Sequence, residues 1–331
     1  MNSVAKDVQA SVVIPTKNAG PQLGNVLNAL NAQQTTWPFE VLVVDSGSTD
    51  GTVELVKRYP LVRLIQISAS EFGHGKTRNF AIANTTGAFV AMLTQDALPA
   101  SSTWLAALVA AIELDPKIAG VFGRHIAYPE ATPFTRHELE QHFLGFLPQP
   151  VVELEDHLRY EKDEGYRQFL YFFSDNNALL RRAVWKKIPY PEVDFAEDQA
   201  WARLIIEAGY KKAYAHSAVV YHSHNYGLIE CLQRSFDESF ALRRLFGYQN
   251  GRGIIQAVQR LASLTLRDAC IAWKTGLFKT RPVQVIVMPL NNLMRVLGDY
   301  LGTYGYRIPK SVRSMLSRDR RLMLISAGDI T

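Results

Sequence analysis

A carboxylate beyond a strand end, an acidic pair opening a helix, and two histidines spaced by two are the groups in this 331-residue chain best suited to chemistry. Asp96 closes the segment Leu93-Thr94-Gln95-Asp96, directly after a short apolar run. A hard divalent cation takes oxygen ligands and draws several from water or a diphosphate, so Asp96 with one more protein ligand suffices for Mg²⁺ or Mn²⁺. Glu197 and Asp198 stand at a predicted helix start, where the dipole favours ionised carboxylates and suits one of them to act as a general base. His222 and His224 follow a β-like run over 213–221, and a spacing of two sends both to the same side of an extended chain. Taken singly, each group also reads as a turn, an acidic first turn or a structural histidine.

Positioning such groups takes a scaffold, and the first half of the chain supplies its signature. Short apolar runs at 12–15, 41–45, 62–67, 89–93 and 118–122 alternate with helical patterns at 21–33, 52–59, 76–86 and 102–114. That alternation predicts βαβ units and a largely parallel sheet flanked by helices, an α/β fold. Asp50 is the expected N-cap of the second helix. Ligands of open α/β sheets lie beyond the carboxyl ends of the strands. There the chain reads Thr16-Lys17-Asn18, Asp45-Ser46-Gly47-Ser48 and Thr94-Gln95-Asp96. An amphipathic helix is predicted over 196–208, with Gly209 as its stop.

Composition narrows the function class. Apolar residues make up 47% and aromatics 11%, which excludes a disordered or collagen-like chain. Cys231 and Cys270 form neither a bridge framework nor a zinc spacing, so a cytoplasmic address is expected. The first ten residues lack a signal-peptide core, and no run reaches the ~18 apolar residues of a membrane span. Charge is uneven: residues 226–331 carry 16 Lys and Arg against 7 Asp and Glu (+9), leaving 20 against 24 (−4) for 1–225. Gly75-Lys76-Thr77 suggests a phosphate loop, but Ser70 stands where that motif needs glycine, and no dinucleotide fingerprint follows the first strand. What remains is a helix start with Lys76 and Arg78 that can receive an anionic group. The basic residues form no nucleic-acid motif, so no nucleic acid is expected as a partner.

SVVIPTKN at 11–18, VLVVDSGSTDGT at 41–52, FGHGKTRNFAIANTTG at 72–87, LTQDALP at 93–99 and AEDQAWARLIIEAGY at 196–210 form an ordered set. Together they resemble glycosyltransferase family 2 with the GT-A fold, over roughly residues 10–225. The 72–79 pattern and the Thr-Gln-Asp segment are similar to bacterial rhamnosyltransferases. The resemblance implies a catalytic domain over 1–225, while the +9 balance and apolar helical faces of 226–331 suggest a helical, basic region for membrane-surface or homo-oligomer contacts. It implies donor contacts at Pro15, Thr16, Asp45, Ser48, Lys76, Arg78, Gln95 and Glu197, with Asn176 and Asn177 in the sugar pocket. Asp96 matches the metal motif, whose first aspartate is Thr94 here. His222, or alternatively His224, matches the histidine that closes the metal site in some members, and Asp198 matches the catalytic base. The expected activity is inverting, metal-dependent and, for want of a Q-x-x-R-W segment, non-processive. Its expected substrates are dTDP-rhamnose and a hydroxyl of a lipid-linked glycan in bacterial surface polysaccharide synthesis, on the cytoplasmic face of the inner membrane. A UDP-hexose donor, or a sugar-nucleotide-binding protein without catalysis, are the alternatives.

Overall fold

The computed structural model describes residues 8–249 and 253–319. Residues 1–7, which begin the segment read for a signal peptide, part of the break expected near 247–253, and 320–331 of the basic region lie outside the described residues. The chain divides into two compact units, and the division is not a single cut. The first holds residues up to 130, 138–193 and 197–223; segments 131–137 and 194–196 group with residues from 224 onward.

The first unit is built on nine strands among the described residues: β1 (Ala10–Thr16), β2 (Phe39–Asp45), β3 (Val62–Gln66), β4 (Phe89–Leu93), β5 (Leu98–Pro99), β6 (Ile118–Ile126), β7 (Val151–Val152), β8 (Asn177–Arg181) and β9 (Lys211–Tyr221). Their order is β3-β2-β1-β4-β8-β6-β9-β5, with β7 also on β9. Strands β3, β2, β1 and β4 run parallel, as the apolar runs predict. Strand β8 runs antiparallel between β4 and β6, which the sequence reading did not find. Buried on both faces, Val12, Ile14, Val43, Ala91 and Leu179 form the core with Leu27, Trp104 and Leu108 from the flanking helices Gln22–Asn31 and Trp104–Glu113.

Register brings the carboxyl ends into line, Thr16 opposite Asp45 and Asp45 opposite Gln66. The loops beyond are cross-linked. Gln95 accepts from the Lys17 N–H (2.8 Å) and donates to the Lys17 carbonyl (3.2 Å). Ser48 Oγ accepts from Asn18 N–H (2.8 Å), and Asp50 accepts from the Gly20 and Thr52 N–H groups (3.0 and 3.1 Å). Gly51, not Asp50, is the residue capping helix Thr52–Val56, so Asp50 binds one position outside the expected cap.

The second unit contains helices Leu228–Phe246, Ile254–Lys274, Leu277–Thr280, Pro282–Thr303 and Lys310–Leu316. Its buried centre is Phe236, Phe240 and Ala241. Helix Pro282–Thr303 approaches Leu228–Phe246 through Gly298 and Gly302, where an added Cβ would fall 2.4 Å from the Leu232 carbonyl and 2.5 Å from the Phe236 carbonyl. Because those obstacles are backbone, neither can swing aside. Gly302→Ala should therefore lower unfolding free energy by about 1–3 kcal/mol. Gly227→Ala, whose Cβ would meet nothing, should stay within about 0.5 kcal/mol. Urea denaturation of both variants checks the contrast.

Candidate active site

The site is made of groups beyond the ends of the central strands. Leu93 at the end of β4 pairs with Asn177 at the start of β8. Asp96 lies three residues past that pair on one side, and Asp175 two residues before it on the other. Asp175 in turn donates its backbone N–H to Asp198 Oδ2 (3.2 Å). One pair of strands thus fixes Asp96 and Asp198 at the same end of the sheet.

At the Asp96 end, β5 and β9 pair through Leu98 and Tyr221, leaving Asp96 and His222 just beyond. His222 Nε2 stands 3.6 Å from Asp96 Oδ1. The Asp96 carbonyl accepts from Tyr128 Oη (3.0 Å) and Gln22 Nε2 (3.5 Å), which anchors the backbone and leaves the carboxylate to face the imidazole. His222 is held by its own N–H on the Ile126 carbonyl (2.9 Å). A half-exposed carboxylate beside an imidazole is a donor set that fits a divalent cation, whose remaining ligands would come from water or phosphate oxygens. His224, two residues on, is exposed, belongs to the second unit and stacks on Tyr226 at 5.3 Å between ring centroids.

At the Asp198 end a single guanidinium lies among three carboxylates. Arg78, nearly fully buried on helix His74–Ala83, pairs with Asp175 Oδ2 at 2.7 Å and Glu197 Oε1 at 2.6 Å. Asp175 Oδ1 also accepts from Tyr190 Oη (2.7 Å). Asp198 opens helix Glu197–Glu207, and its Oδ1 accepts the Gln199 N–H at 2.7 Å. Ala196, immediately before this helix, holds a left-handed φ of 52°, a backbone cost tolerated where surrounding structure fixes the turn. Burial pushes the Asp198 pKa well above the usual aspartate range, reinforced by Glu197 and Asp175 and opposed by Arg78. Asp175 is raised to about 6, again first by burial.

Several predicted donor contacts have other partners. Asp45 is fully buried; Oδ2 accepts the Gly47 and Ser48 N–H groups (3.1 and 3.0 Å) and Oδ1 accepts Ser48 Oγ, so the carboxylate closes its own turn. Asn177 is also fully buried, taking the Trp104 indole N–H (2.8 Å) and donating to the Ala218 and Arg124 carbonyls (2.8 and 3.2 Å). It ties three elements of the core. Arg78 and Glu197 pair with each other beside Asp198. Gly75 owes its identity to a close neighbour: a Cβ would lie 2.0 Å from the Pro191 carbonyl. Lys76 remains exposed, while Pro15, Ser48, Gln95 and Asn176 are half-buried at or beyond strand ends. Thr16 is buried, with its hydroxyl on the Ile14 carbonyl (3.1 Å). Tyr190 and Asp175 were absent from the predicted set; the only available signal was the polar Ser174-Asp175 step after an aromatic run.

Removing Arg78 strands two buried carboxylates. Arg78→Met should cost about 3–5 kcal/mol in urea denaturation, the penalty for breaking a buried pair. Because folding raises the Asp175 pKa from an ordinary 3.8 to about 6, the folded state binds that proton more tightly than the unfolded one. Its contribution to stability is therefore greatest below 3.8 and declines as pH rises toward 6. Asp175→Asn should flatten that decline in denaturation midpoints measured across this window.

Comparisons with known proteins agree with the geometry. Residues 11–188 match the sequence profile described as Glycosyl transferase family 2. O-antigen chain rhamnosyltransferase RfbN of Salmonella typhimurium is 36% identical over 255 residues, 74% of this chain and 78% of the relative. O-antigen chain rhamnosyltransferase WbaN of Salmonella anatum is 32% identical over 252 residues, covering 73% and 77%. Among solved structures, the mannosyltransferase PcManGT of Pyrobaculum calidifontis, in complex with GDP-Man and Mn²⁺, superposes with TM-score 0.54 at 19% identity, covering 90% of this chain and 89% of that one. TarS of S. aureus in complex with UDP-GlcNAc gives 0.52 at 18% identity, covering 91% and 92%. At those identities the structural likeness establishes fold alone.

Proposed function

Given that the chain belongs to glycosyl transferase family 2 and has the GT-A fold, we propose that this glycosyltransferase moves L-rhamnose from dTDP-rhamnose to a hydroxyl of a lipid-linked glycan. The observation carrying this reading is its kinship to two O-antigen chain rhamnosyltransferases over about three quarters of its length. Each encounter adds one sugar, at the cytoplasmic face of the inner membrane.

In the proposed reaction, the cross-linked loops after β1, β2 and β4 receive the nucleotide, with Thr16, Ser48 and Gln95 holding their shape. Asp96 and His222 would hold Mg²⁺ or Mn²⁺. Such an ion, when bound, stabilises negative charge on the departing diphosphate. Asp198 takes the proton of the acceptor hydroxyl as its oxygen bonds the anomeric carbon. The carbon–oxygen bond to the diphosphate breaks with its electron pair leaving on the nucleotide. One displacement with one base inverts the anomeric centre, unlike the two-carboxylate arrangement of retaining glycosidases.

Burial and two carboxylate neighbours raise Asp198, which brings a base closer to neutrality than an ordinary aspartate and improves its match to the task. The acid limb of the rate profile should accordingly lie above the usual aspartate range, with activity rising as pH increases through it. Asp198→Asn should reduce turnover by roughly 10²–10⁴-fold while leaving calorimetric binding of dTDP intact. Equal turnover in that variant would remove Asp198 as the base. Asp96→Asn should abolish Mn²⁺ binding in calorimetry as well as metal-stimulated release of nucleoside diphosphate. Incubation with dTDP-rhamnose and UDP-hexoses in parallel tests the donor; turnover of a UDP-hexose alone would overturn the rhamnose assignment.

A further inference from the structure

The second unit displays apolar side chains in a regular arrangement. On helix Ile254–Lys274, Ile255, Val258, Leu266 and Trp273 recur at helical intervals and are 76%, 59%, 71% and 78% exposed. On helix Pro282–Thr303, Val283, Ile286, Leu290, Leu293 and Leu297 follow a 3-4-3-4 spacing and are all exposed. Apolar stripes of this extent on helices of about 30 Å signal an unfilled contact.

Charge identifies what fills it. From 254 to 303 the chain carries six cations, Arg260, Arg267, Lys274, Lys279, Arg281 and Arg295, against Asp268 and Asp299, a balance of +4; Asp299 is buried and ion-paired with Arg260 at 2.6 Å. Asp268 is buried, ion-paired with Arg267 at 2.7 Å and accepting from Asn292 at 2.9 Å, so it offers no negative charge outside. The turn between the two helices gathers exposed Lys274, Lys279 and Arg281 around Trp273 and Phe278, whose rings meet edge to face at 6.3 Å. A second copy docking on these stripes would bring +4 against +4. Anionic phospholipid headgroups complement the cations while their acyl boundary receives Trp273, Phe278 and the stripes.

We propose that the helical hairpin 254–303 is a membrane-surface anchor that lies in the interface of anionic phospholipid, with the Trp273–Arg281 turn as its leading edge. No helix among the described residues is long and apolar enough to cross a membrane, so the hairpin lies on the bilayer. The inference rests on the transferase reading only for its purpose, which is to hold the site where a lipid-linked acceptor resides.

Sedimentation of the full chain with phosphatidylcholine vesicles, with and without phosphatidylglycerol, tests the anchor. Binding should require phosphatidylglycerol and fall with salt. Lys274→Gln, Lys279→Gln and Arg281→Gln combined should weaken it about 100-fold, as expected for three interfacial cations. Trp273→Gln should weaken it roughly 10-fold, the scale of one buried aromatic. Release of nucleoside diphosphate with a water-soluble acceptor should be unchanged in both variants, which also reports that they fold. Equal sedimentation without phosphatidylglycerol, or an unaffected triple variant, would overturn the proposal. So would a concentration-dependent dimer in ultracentrifugation that Trp273→Gln dissociates while vesicles take up no protein. Failure to turn over any donor would instead refute the transferase reading and leave the vesicle result standing.

Discussion

The arrangement depends first on one buried guanidinium balancing carboxylates from two other parts of the chain. Arg78 lies on the helix after β3, Asp175 on the approach to β8, and Glu197 at the start of a later helix. Burying these groups unpaired would cost several kcal/mol each, so the three segments are constrained to meet. The same constraint explains Gly75, since Pro191 presses against the first turn of the Arg78 helix and leaves no room for a side chain. Asn79 holds the same neighbour, donating to the Tyr190 carbonyl (2.8 Å) and accepting the Tyr190 N–H (3.0 Å). Tyr190 then reaches Asp175, which closes a connected support beneath Asp198.

Much of this fold was legible because its signals are local. Apolar runs at 12–15, 41–45 and 89–93 sit inside β1, β2 and β4, and Gly209 stands just past the end of the helix it is expected to stop. Strand β8 was hidden for a physical reason. Asn177–Arg181 is five residues long, begins with a polar amide and follows a polar run, so its alternation is no stronger than that of a loop. Its place between β4 and β6 comes from pairing with chain far away in sequence, which no local pattern encodes.

The site was legible in residue type and only partly in role. Asp96, Asp198 and His222 are conspicuous because strand ends and a helix start expose them, and the structure gathers Asp96 with His222 and Asp198 with its neighbours. Asp45, Arg78 and Asn177 are equally conspicuous in sequence, yet their polar atoms find internal partners. A buried polar group is conspicuous for the same reason a ligand contact is, since both must be hydrogen-bonded or paired. Only the partner, invisible in one dimension, separates them. Arg182 makes the same point, as its guanidinium holds the Ile82 carbonyl (2.6 Å) at the end of the Arg78 helix.

The two ends of the site differ in a way that suits displacement chemistry. Around Asp96 and His222 the groups are half-exposed, and the Asp96 backbone is anchored through its carbonyl while its carboxylate faces the His222 imidazole. Around Asp198 the supporting groups are buried and mutually satisfied, so the carboxylate proposed as the base is already held in place. A leaving diphosphate brings its own charge and can complete an open shell. An acceptor alcohol brings none, and its proton is removed only by a base already aimed and already raised toward neutrality. Firm support at one end and partial exposure at the other match what each substrate of the proposed reaction would supply.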